Sequence, residues 1–322
     1  MRQLLKYLAI FILPIVVIGI CFEISLRKIP NVYFYKKNYL DKNSNQIKVL
    51  LLGNSHIYYG INPEYYSLNA FNASSVSQSL DYDWEILNKY NNKWDSLKYV
   101  IVAVDYFSLF SKLEASVEAW RVKNYEIYFG INKSYKIHDH SEILSNNLKT
   151  NFSRLYRFYF KNENDITCSK LGWGTGNSSR DKKDLKKTGK ISAERHTIKN
   201  DQYFNENIKI LETIIEAAKA KGVEVILLSS PAYKTYTQNL DKYQLSRTID
   251  AVNKIVNSSS NVIYLNLLTD DEFTENDFYD ADHLNEFGTK KLSLKIDSLL
   301  FKIERNNNKQ NTLPKPEDVV GK

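Results

Sequence analysis

The sequence predicts an α/β fold in which one parallel sheet is covered by helices on both faces. Short, nearly continuous apolar runs are typical of strands that are buried on both sides, and they occur at 47–52, within 97–109, within 222–231 and at 261–267. Segments with helical periodicity lie between or after them, at 82–90, 206–222, 244–256 and 285–303. This alternation of strand and helix is the pattern of a parallel sheet with crossover helices.

The order of these segments predicts the domain organisation. A chain of 322 residues suits one large domain, and we place an α/β domain at 47–303 with a large, mostly helical insertion at about 110–205. Residues 1–28 are predicted to be a membrane anchor or signal, and 29–46 a polar, tyrosine-containing stem. The tail at 304–322 has little apolar content, and we predict that it is disordered.

The N-terminal segment from Tyr7 to Phe22, YLAIFILPIVVIGICF, contains no charged residue. It is longer than a signal-peptide core and shorter than a membrane span of about 20 residues, but Leu4, Leu5 and Ile24 extend it. Because no small-x-small cleavage site follows, we predict a single uncleaved membrane helix, with a cleaved secretion signal as the alternative. The short basic start of the chain favours an extracytoplasmic domain at the cell membrane.

The composition excludes several classes of protein. Hydrophobic residues make up 43% of the chain and charged residues 25%, which is ordinary for a folded domain. The formal charge of +7 includes a basic run at 180–187, where acidic residues are mixed in and aromatic residues are not interleaved. We therefore expect no nucleic-acid partner. Two cysteines, Cys21 and Cys168, are too few for a disulfide framework or a cysteine zinc site.

The residues that serine catalysis needs lie at the two ends of the predicted domain. Ser55 follows the strand at 47–52, at the edge where parallel sheets place their active sites, although such a serine can equally be a helix N-cap. His283 precedes the last helix and follows Asp280 by three residues, so the carboxylate can reach the Nδ1 side of the imidazole and leave Nε2 for the serine. Asp282 is the second candidate acid, but a directly preceding side chain usually points away.

Two segments carry a resemblance to a known superfamily. Gly53-Asn54-Ser55 after a first strand and Asp280-Ala281-Asp282-His283 before a last helix resemble blocks of the SGNH (GDSL-like) hydrolases. The resemblance covers about 47–110 and 206–303, and it implies a flavodoxin-like three-layer sandwich with Ser55 as nucleophile, Asp280 as acid and His283 as base. The chain is similar to membrane-anchored, extracytoplasmic members, namely the alginate O-acetyltransferase group and the D-alanyl transfer protein of teichoic acid synthesis.

The chain departs from the superfamily pattern in the blocks that form the oxyanion hole. In FNASSVSQSLDYD, Ser77 stands where the family offers a glycine N–H, and its own N–H can act with that of Ser55. In VAVDYFSLF, Asp105 and Ser108 stand where the family has an asparagine donor. A carboxylate would repel the oxyanion, and loss of one side-chain donor costs on the order of a hundredfold in rate.

Further residues are predicted to lie at the same edge of the sheet. His56 and Asp105 follow strands, His196 precedes a long helix, and Tyr233 and Tyr236 follow the strand within 222–231. We expect these side chains to contact substrate, with surface or core positions as the alternative. The segment His138-Asp139-His140 has no third ligand nearby, so we predict no metal site and no cofactor.

Together these features predict a serine-dependent ester hydrolase or O-acyltransferase that acts on an extracytoplasmic glycan through an acyl-Ser55 intermediate. The expected partners are a glycan or acyl ester substrate, a membrane acyl-donor protein, and the membrane itself through the N-terminal helix. The alternative, favoured by the missing asparagine, is a catalytically weak scaffold or binding protein in an envelope polysaccharide assembly complex.

Overall fold

The fold is built on a five-stranded sheet in which all neighbouring strands are parallel. The computed structural model describes residues 1–198 and 200–312, without the side chains of 307–312. The strand order is β2-β1-β3-β4-β5. The strands are β1 (Val49–Leu52), β2 (Ala70–Asn72), β3 (Tyr99–Ala103), β4 (Glu224–Ser229) and β5 (Val262–Asn266). The four predicted strands are confirmed, and β2 is an edge strand that was not predicted.

The helices of the described residues alternate with these strands or lie in the insertion. They are α1 (Arg2–Arg27), α2 (Val32–Asn43), α3 (Ser55–Gly60), α4 (Leu80–Lys89), α5 (Val122–Asn124), α6 (Glu142–Ser145), α7 (Leu148–Lys161), α8 (Leu185–His196), α9 (Phe204–Lys219), α10 (Lys234–Thr237), α11 (Lys242–Ser258) and α12 (Glu286–Thr312). The predicted insertion at 110–205 holds α5 to α8 and several shorter helical turns, so its mostly helical character is confirmed.

Helices cover both faces of the sheet, and this makes the domain a three-layer sandwich. Alternate side chains of a strand point to opposite faces. Leu50, Val100 and Val225 belong to an apolar cluster shared with α4, α9 and α11. Their neighbours Leu51 and Ile101 belong to a second cluster, shared with α3 and α12. All residues of β1 and β3 are buried, which is why these strands read as continuous apolar runs.

Residues 29–46 were predicted as a stem, but they belong to the domain. The helix α2 buries one face, formed by Tyr33, Lys36 and Leu40 at helical spacing. Tyr33 and Leu40 join the apolar cluster of the sheet face that holds α4. The Lys36 ammonium donates a hydrogen bond to the carbonyl oxygen of Ser74 and lies 4.4 Å from the centre of the Tyr58 ring. Because a lysine lies in the middle of the buried face, the sequence lacks the continuous apolar stripe that would have predicted this helix.

The last helix is longer than predicted. Helix α12 continues to Thr312, so the predicted disordered tail at 304–322 is wrong for 304–312. Its remaining residues, 313–322, lie outside the described part of the chain.

The first helix, α1, is long and apolar enough to cross a membrane. Its most apolar window of 18 residues has a mean hydropathy of 2.6, and none of those residues is buried. Membrane spans and signal sequences both have this length and composition.

Candidate active site

Ser55 lies directly after the first strand, at the carboxyl edge of the sheet. β1 ends at Leu52, and Gly53 turns the chain with a φ of 130° at a place where a Cβ atom would lie 2.4 Å from that of Ala103. Only glycine fits such a turn without strain. Asn54 is the N-cap of α3, because its Oδ1 accepts the N–H of His56 at 2.8 Å. The Ser55 hydroxyl is therefore not needed as a cap.

Ser55, His283 and Asp280 form a hydrogen-bonded row. The Ser55 Oγ and the His283 Nε2 are 2.9 Å apart. The other ring nitrogen, Nδ1, lies 3.0 and 3.2 Å from the two carboxylate oxygens of Asp280. Asp280 also accepts the backbone N–H of His283 at 2.8 Å, so the loop between these residues is held tightly. With Nδ1–H donating to Asp280, Nε2 can accept the serine proton.

Asp282 also lies against this row, although a side chain directly before His283 was expected to point away. Its Oδ2 is 3.6 Å from His283 Nδ1 and 3.5 Å from His56 Nε2. The Arg195 guanidinium lies 3.7 Å from the same oxygen. The Asp282 side chain is fully buried, with 0% exposure. A buried carboxylate here adds negative charge behind the imidazole of His283 without replacing Asp280 as its closest partner.

The charges of these side chains shift one another's pKa values. Burial lowers the pKa of His283, but the carboxylates of Asp282 and Asp280 outweigh burial and raise it. Burial raises the pKa of Asp282, but His283 and His56 hold it well below its usual range. Burial also lowers the pKa of His56, but the carboxylates of Asp105 and Asp282 outweigh burial and raise this pKa to about 10. His56 is thus an imidazolium at neutral pH, enclosed by two carboxylates.

His56 and Asp105 were predicted to contact substrate, and the structure corrects this. Both are buried, and the His56 Nδ1 lies 3.1 Å from the Asp105 Oδ2. Asp105 also accepts hydrogen bonds from the Asn54 amide at 2.9 Å and from the backbone N–H of Ser230 at 2.9 Å. These donors surround the carboxylate, so Asp105 is a buried hydrogen-bond acceptor at the edge of the sheet and is not exposed at the surface.

Three further predicted substrate contacts lie around this buried group. Tyr236 is buried, and its hydroxyl is 2.9 Å from the Nδ1 of His196, so Tyr236 is a core residue. His196 is half-buried, its ring lies 4.2 Å from that of Phe107, and burial lowers its pKa to about 3. Tyr233 is half-buried against Phe278, with ring centres 5.7 Å apart. His196 is therefore a neutral neighbour of the charged cluster.

The loop that follows β2 carries the predicted backbone donor, Ser77. The Ser75 N–H donates to the Gly53 carbonyl at 3.1 Å, which ties this loop to the turn before Ser55. Ser77 has a φ of 60°, in the left-handed region that glycine favours. Ser77 therefore holds a backbone conformation that glycine adopts without strain. Asn72, at the start of the same segment, has a structural role, because its amide donates hydrogen bonds to the carbonyls of Ile57 and Ile61.

One group of described residues has a composition that could ligate a metal ion. His56, Asp282 and His283 offer ligand atoms within 4.8 Å of one another. However, the nearest nitrogen of His283 is already paired with Asp280, and the Arg195 guanidinium lies beside Asp282. This positive charge opposes a cation, and the protonated His56 supplies the charge that the carboxylates need.

The parallel sheet with strand order β2-β1-β3-β4-β5 therefore carries Ser55 and the segment Asp280–His283 together at one edge. No protein-family model and no curated protein sequence matches the chain.

Solved structures of similar proteins include a GDSL-like lipase of Bacteroides thetaiotaomicron, with 11% identity over 84% of this chain and 99% of the other and a TM-score of 0.40. A provisionally assigned acylhydrolase of Bacteroides fragilis has 10% identity over 83% and 96% of the two chains and a TM-score of 0.41. A provisionally assigned platelet activating factor protein of Streptococcus pneumonia has 11% identity over 91% and 98%, with a TM-score of 0.40.

Proposed function

We propose that the protein is a serine-dependent esterase or O-acyltransferase that works through an acyl-Ser55 intermediate. One observation carries the proposal: His283 Nε2 lies 2.9 Å from the Ser55 hydroxyl while its Nδ1 is held by Asp280 at 3.0 Å. The base is thus within hydrogen-bond distance of both the nucleophile and the orienting acid, as covalent acyl transfer requires.

The reaction follows from this row. Ser55 Oγ attacks the acyl carbonyl while its proton passes to His283 Nε2, and the resulting imidazolium is stabilised by Asp280 and Asp282. His283 then gives that proton to the leaving alcohol, and an ester bond to Ser55 remains. Water or a glycan hydroxyl attacks this ester, its proton passes through His283 to the Ser55 oxygen, and the acyl group leaves as an acid or a new ester.

The missing asparagine donor is less harmful in this setting than the sequence suggests. Asp105 occupies that place, but the His56 imidazolium and the Asn54 amide neutralise and bind its carboxylate. We therefore assign stabilisation of the oxyanion to the backbone N–H groups of Ser55 and Ser77. With fewer donors than its superfamily has, the enzyme is expected to be slow on simple esters.

We also propose that α1 is retained as a single membrane anchor, with the domain on the extracytoplasmic side and a glycan as substrate or acceptor. The end of α1 supports retention, because the Glu23 carboxylate accepts hydrogen bonds from the N–H groups of Glu142 and Ile143 at the start of α6. Arg27 donates to the His140 carbonyl at 2.6 Å. Cleavage of α1 after these residues would remove a cap that the insertion uses, so Glu23 and Arg27 are expected to stay with the domain.

The test is labelling of the detergent-solubilised full chain by a fluorophosphonate, followed by assays with an aryl acetate. Labelling is expected for the wild type and lost in Ser55→Ala and His283→Ala, whereas Ser67→Ala, which changes an exposed serine, keeps it. Addition of an acceptor oligosaccharide distinguishes the two activities, because a transferase moves the acetyl group to the sugar and an esterase releases acetate.

The second candidate, a scaffold with little activity, is favoured by the carboxylate of Asp105 in the place of the asparagine donor. It predicts that folded wild-type protein is not labelled and that the Ser55→Ala variant still supports envelope glycan modification in cells. That result would refute the enzyme proposal.

A further inference from the structure

Helix α7 turns an apolar, aromatic stripe to the solvent. Its large apolar side chains at positions spaced by three or four residues are 51–79% exposed, namely Leu148, Phe152, Tyr156, Tyr159 and Phe160. Helices of soluble domains bury such a stripe. An exposed patch of this kind marks a surface that meets a partner or a lipid phase.

The polar face of α7 is the face that holds the helix to the domain. The buried Asn151 amide donates to the Glu142 carbonyl, and the Arg154 guanidinium lies 2.6 Å from the Glu142 carboxylate. Arg154 also pairs with Asp165 at 3.1 Å. These contacts fix the rotation of α7 about its axis, so the apolar stripe cannot turn inward without breaking buried ion pairs.

The stripe lies beside the end of the apolar helix α1. The rings of Phe22 and Phe152 are 5.0 Å apart, and the Tyr159 hydroxyl donates to the Ser25 carbonyl at 3.4 Å. The uncharged stretch of α1 ends at Phe22, because Glu23 is the first charged residue after Lys6. At about 1.5 Å per residue, a bilayer core of about 30 Å takes about 20 residues. A span that begins near the start of α1 therefore reaches the bilayer surface at the level of Phe22.

The charge of α7 suits a lipid surface. The helix contains four basic residues and no acidic residue. Within the described residues, Lys149 and Lys161 have no ion-pair partner, while Arg154 and Arg157 are paired with acidic groups. Phenylalanine and tyrosine rings with flanking lysines are the side chains that interfacial helices place at the headgroup level.

We propose that α7 is an interfacial helix whose stripe of Leu148, Phe152, Tyr156, Tyr159 and Phe160 lies in the headgroup region of the bilayer beside α1. The partner is a membrane surface that contains anionic phospholipid. This inference rests on the proposed retention of α1 as an anchor. Two contacts with the bilayer, one by α1 and one by α7, would fix the tilt of the domain. They would also fix the height above the membrane of the sheet edge that carries Ser55.

The test places one nitroxide label at a time on the full chain in liposomes of zwitterionic and anionic phospholipid. The native cysteines are first replaced in the Cys21→Ser, Cys168→Ser background. Phe160→Cys carries the label on the stripe, and Tyr243→Cys, at an exposed position of α11, is the matched control. Collision rates are measured with oxygen, which dissolves in lipid, and with a water-soluble nickel chelate.

We expect the label at 160 to collide several-fold less with the nickel chelate, and more with oxygen, than the label at 243. In detergent-free control liposomes lacking anionic lipid the difference is expected to shrink. Equal nickel accessibility at both positions overturns the proposal. Shielding of position 160 from both reagents, or dipolar broadening between labels, would mean that a protein surface or a second copy covers α7, and this also overturns it.

Failure of the anchor is distinguishable from failure of α7. If α1 is not retained, the chain leaves the liposomes in alkaline carbonate and mass analysis of cell-derived protein shows a shortened N-terminus. If α1 is retained and only the stripe is free in water, carbonate extraction fails while the label at 160 stays accessible to nickel.

Discussion

The two aspartates next to His283 are expected to have different tasks, and their asparagine variants should separate them. Asp280 lies 3.0 Å from Nδ1 and also binds the backbone N–H of His283, so it orients the ring. Asp282 lies 3.6 Å from the same nitrogen, is buried, and acts mainly by its charge. Asp280→Asn can donate a hydrogen bond to Nδ1 and thereby favour the tautomer that cannot accept the serine proton. A comparable substitution in a serine triad lowers kcat by about 10⁴.

Asp282→Asn should change the pH profile more than the maximal rate. Two charges about 4 Å apart interact by about 4 kcal/mol at an effective dielectric near 20, which corresponds to about three pKa units. Loss of the Asp282 charge destabilises the imidazolium, so the pKa of His283 falls. The base must be neutral to accept a proton, and the acid limb of kcat/KM therefore moves to lower pH, by about one to three units after relaxation.

The assay is kcat/KM for an aryl acetate between pH 4 and 9, measured on the full chain in detergent. Asp297→Asn is the matched control, because this carboxylate of α12 binds Ser67 and should leave the profile unchanged. The reasoning is refuted if Asp282→Asn leaves the acid limb in place, or if both variants lose activity equally with unchanged pH dependence. Circular dichroism of each variant excludes loss of the fold as the cause.

Three further substitutions test how the site and the residues around it contribute to the free energy of unfolding. This free energy is measured by urea unfolding, followed by tryptophan fluorescence. Lys36 is buried with a pKa lowered from 10.5 to about 7, so wild-type stability should rise with pH between these values, by up to about 1.4 kcal/mol per pH unit, and Lys36→Met should abolish that rise. The pKa of His56 is raised from 6.5 to about 10, so its contribution is complete below pH 6.5 and lost as pH rises through about 10; His56→Gln should destabilise most at pH 6 and least at pH 10. Gly53→Ala should destabilise by about 3 kcal/mol at any pH, since the new Cβ meets Ala103 and the φ is positive, and a loss below 1 kcal/mol would contradict this reading.

The sequence predicts those parts of the molecule that depend on local pattern. The four longer strands lie in nearly continuous apolar runs, and Asp280 reaches His283 because only two residues of a tight loop separate them. Helix α2 was missed because Lys36 interrupts its buried face. A lysine in the sequence indicates a solvent-exposed position unless its hydrogen-bond partner, here the carbonyl of Ser74, is known. The three-residue strand β2 is too short to show a period.

The position of Asp282 could not be predicted from spacing either. A residue next to His283 in sequence points away from it in an extended chain, but here Asp280 accepts the N–H groups of both Asp282 and His283 and folds the loop back. The pairing of His56 with Asp105 is not readable from one sequence, because the two residues follow different strands and meet only when β1 and β3 pair.

His56, which follows Ser55, and Asp105, which follows β3, compensate each other electrostatically. A lone carboxylate at Asp105 would lie uncompensated at the sheet edge where negative charge develops during acyl transfer. His56, directly after the nucleophile, holds a positive charge between Asp105 and Asp282 and so removes that penalty. Asp282 raises the pKa of His283, but its charge also faces the His56 imidazolium. The positive charge of His56 therefore limits how strongly Asp282 acts on the base. His56 and Asp105 thus form a buried charged pair in which each side chain would be unfavourable without the other.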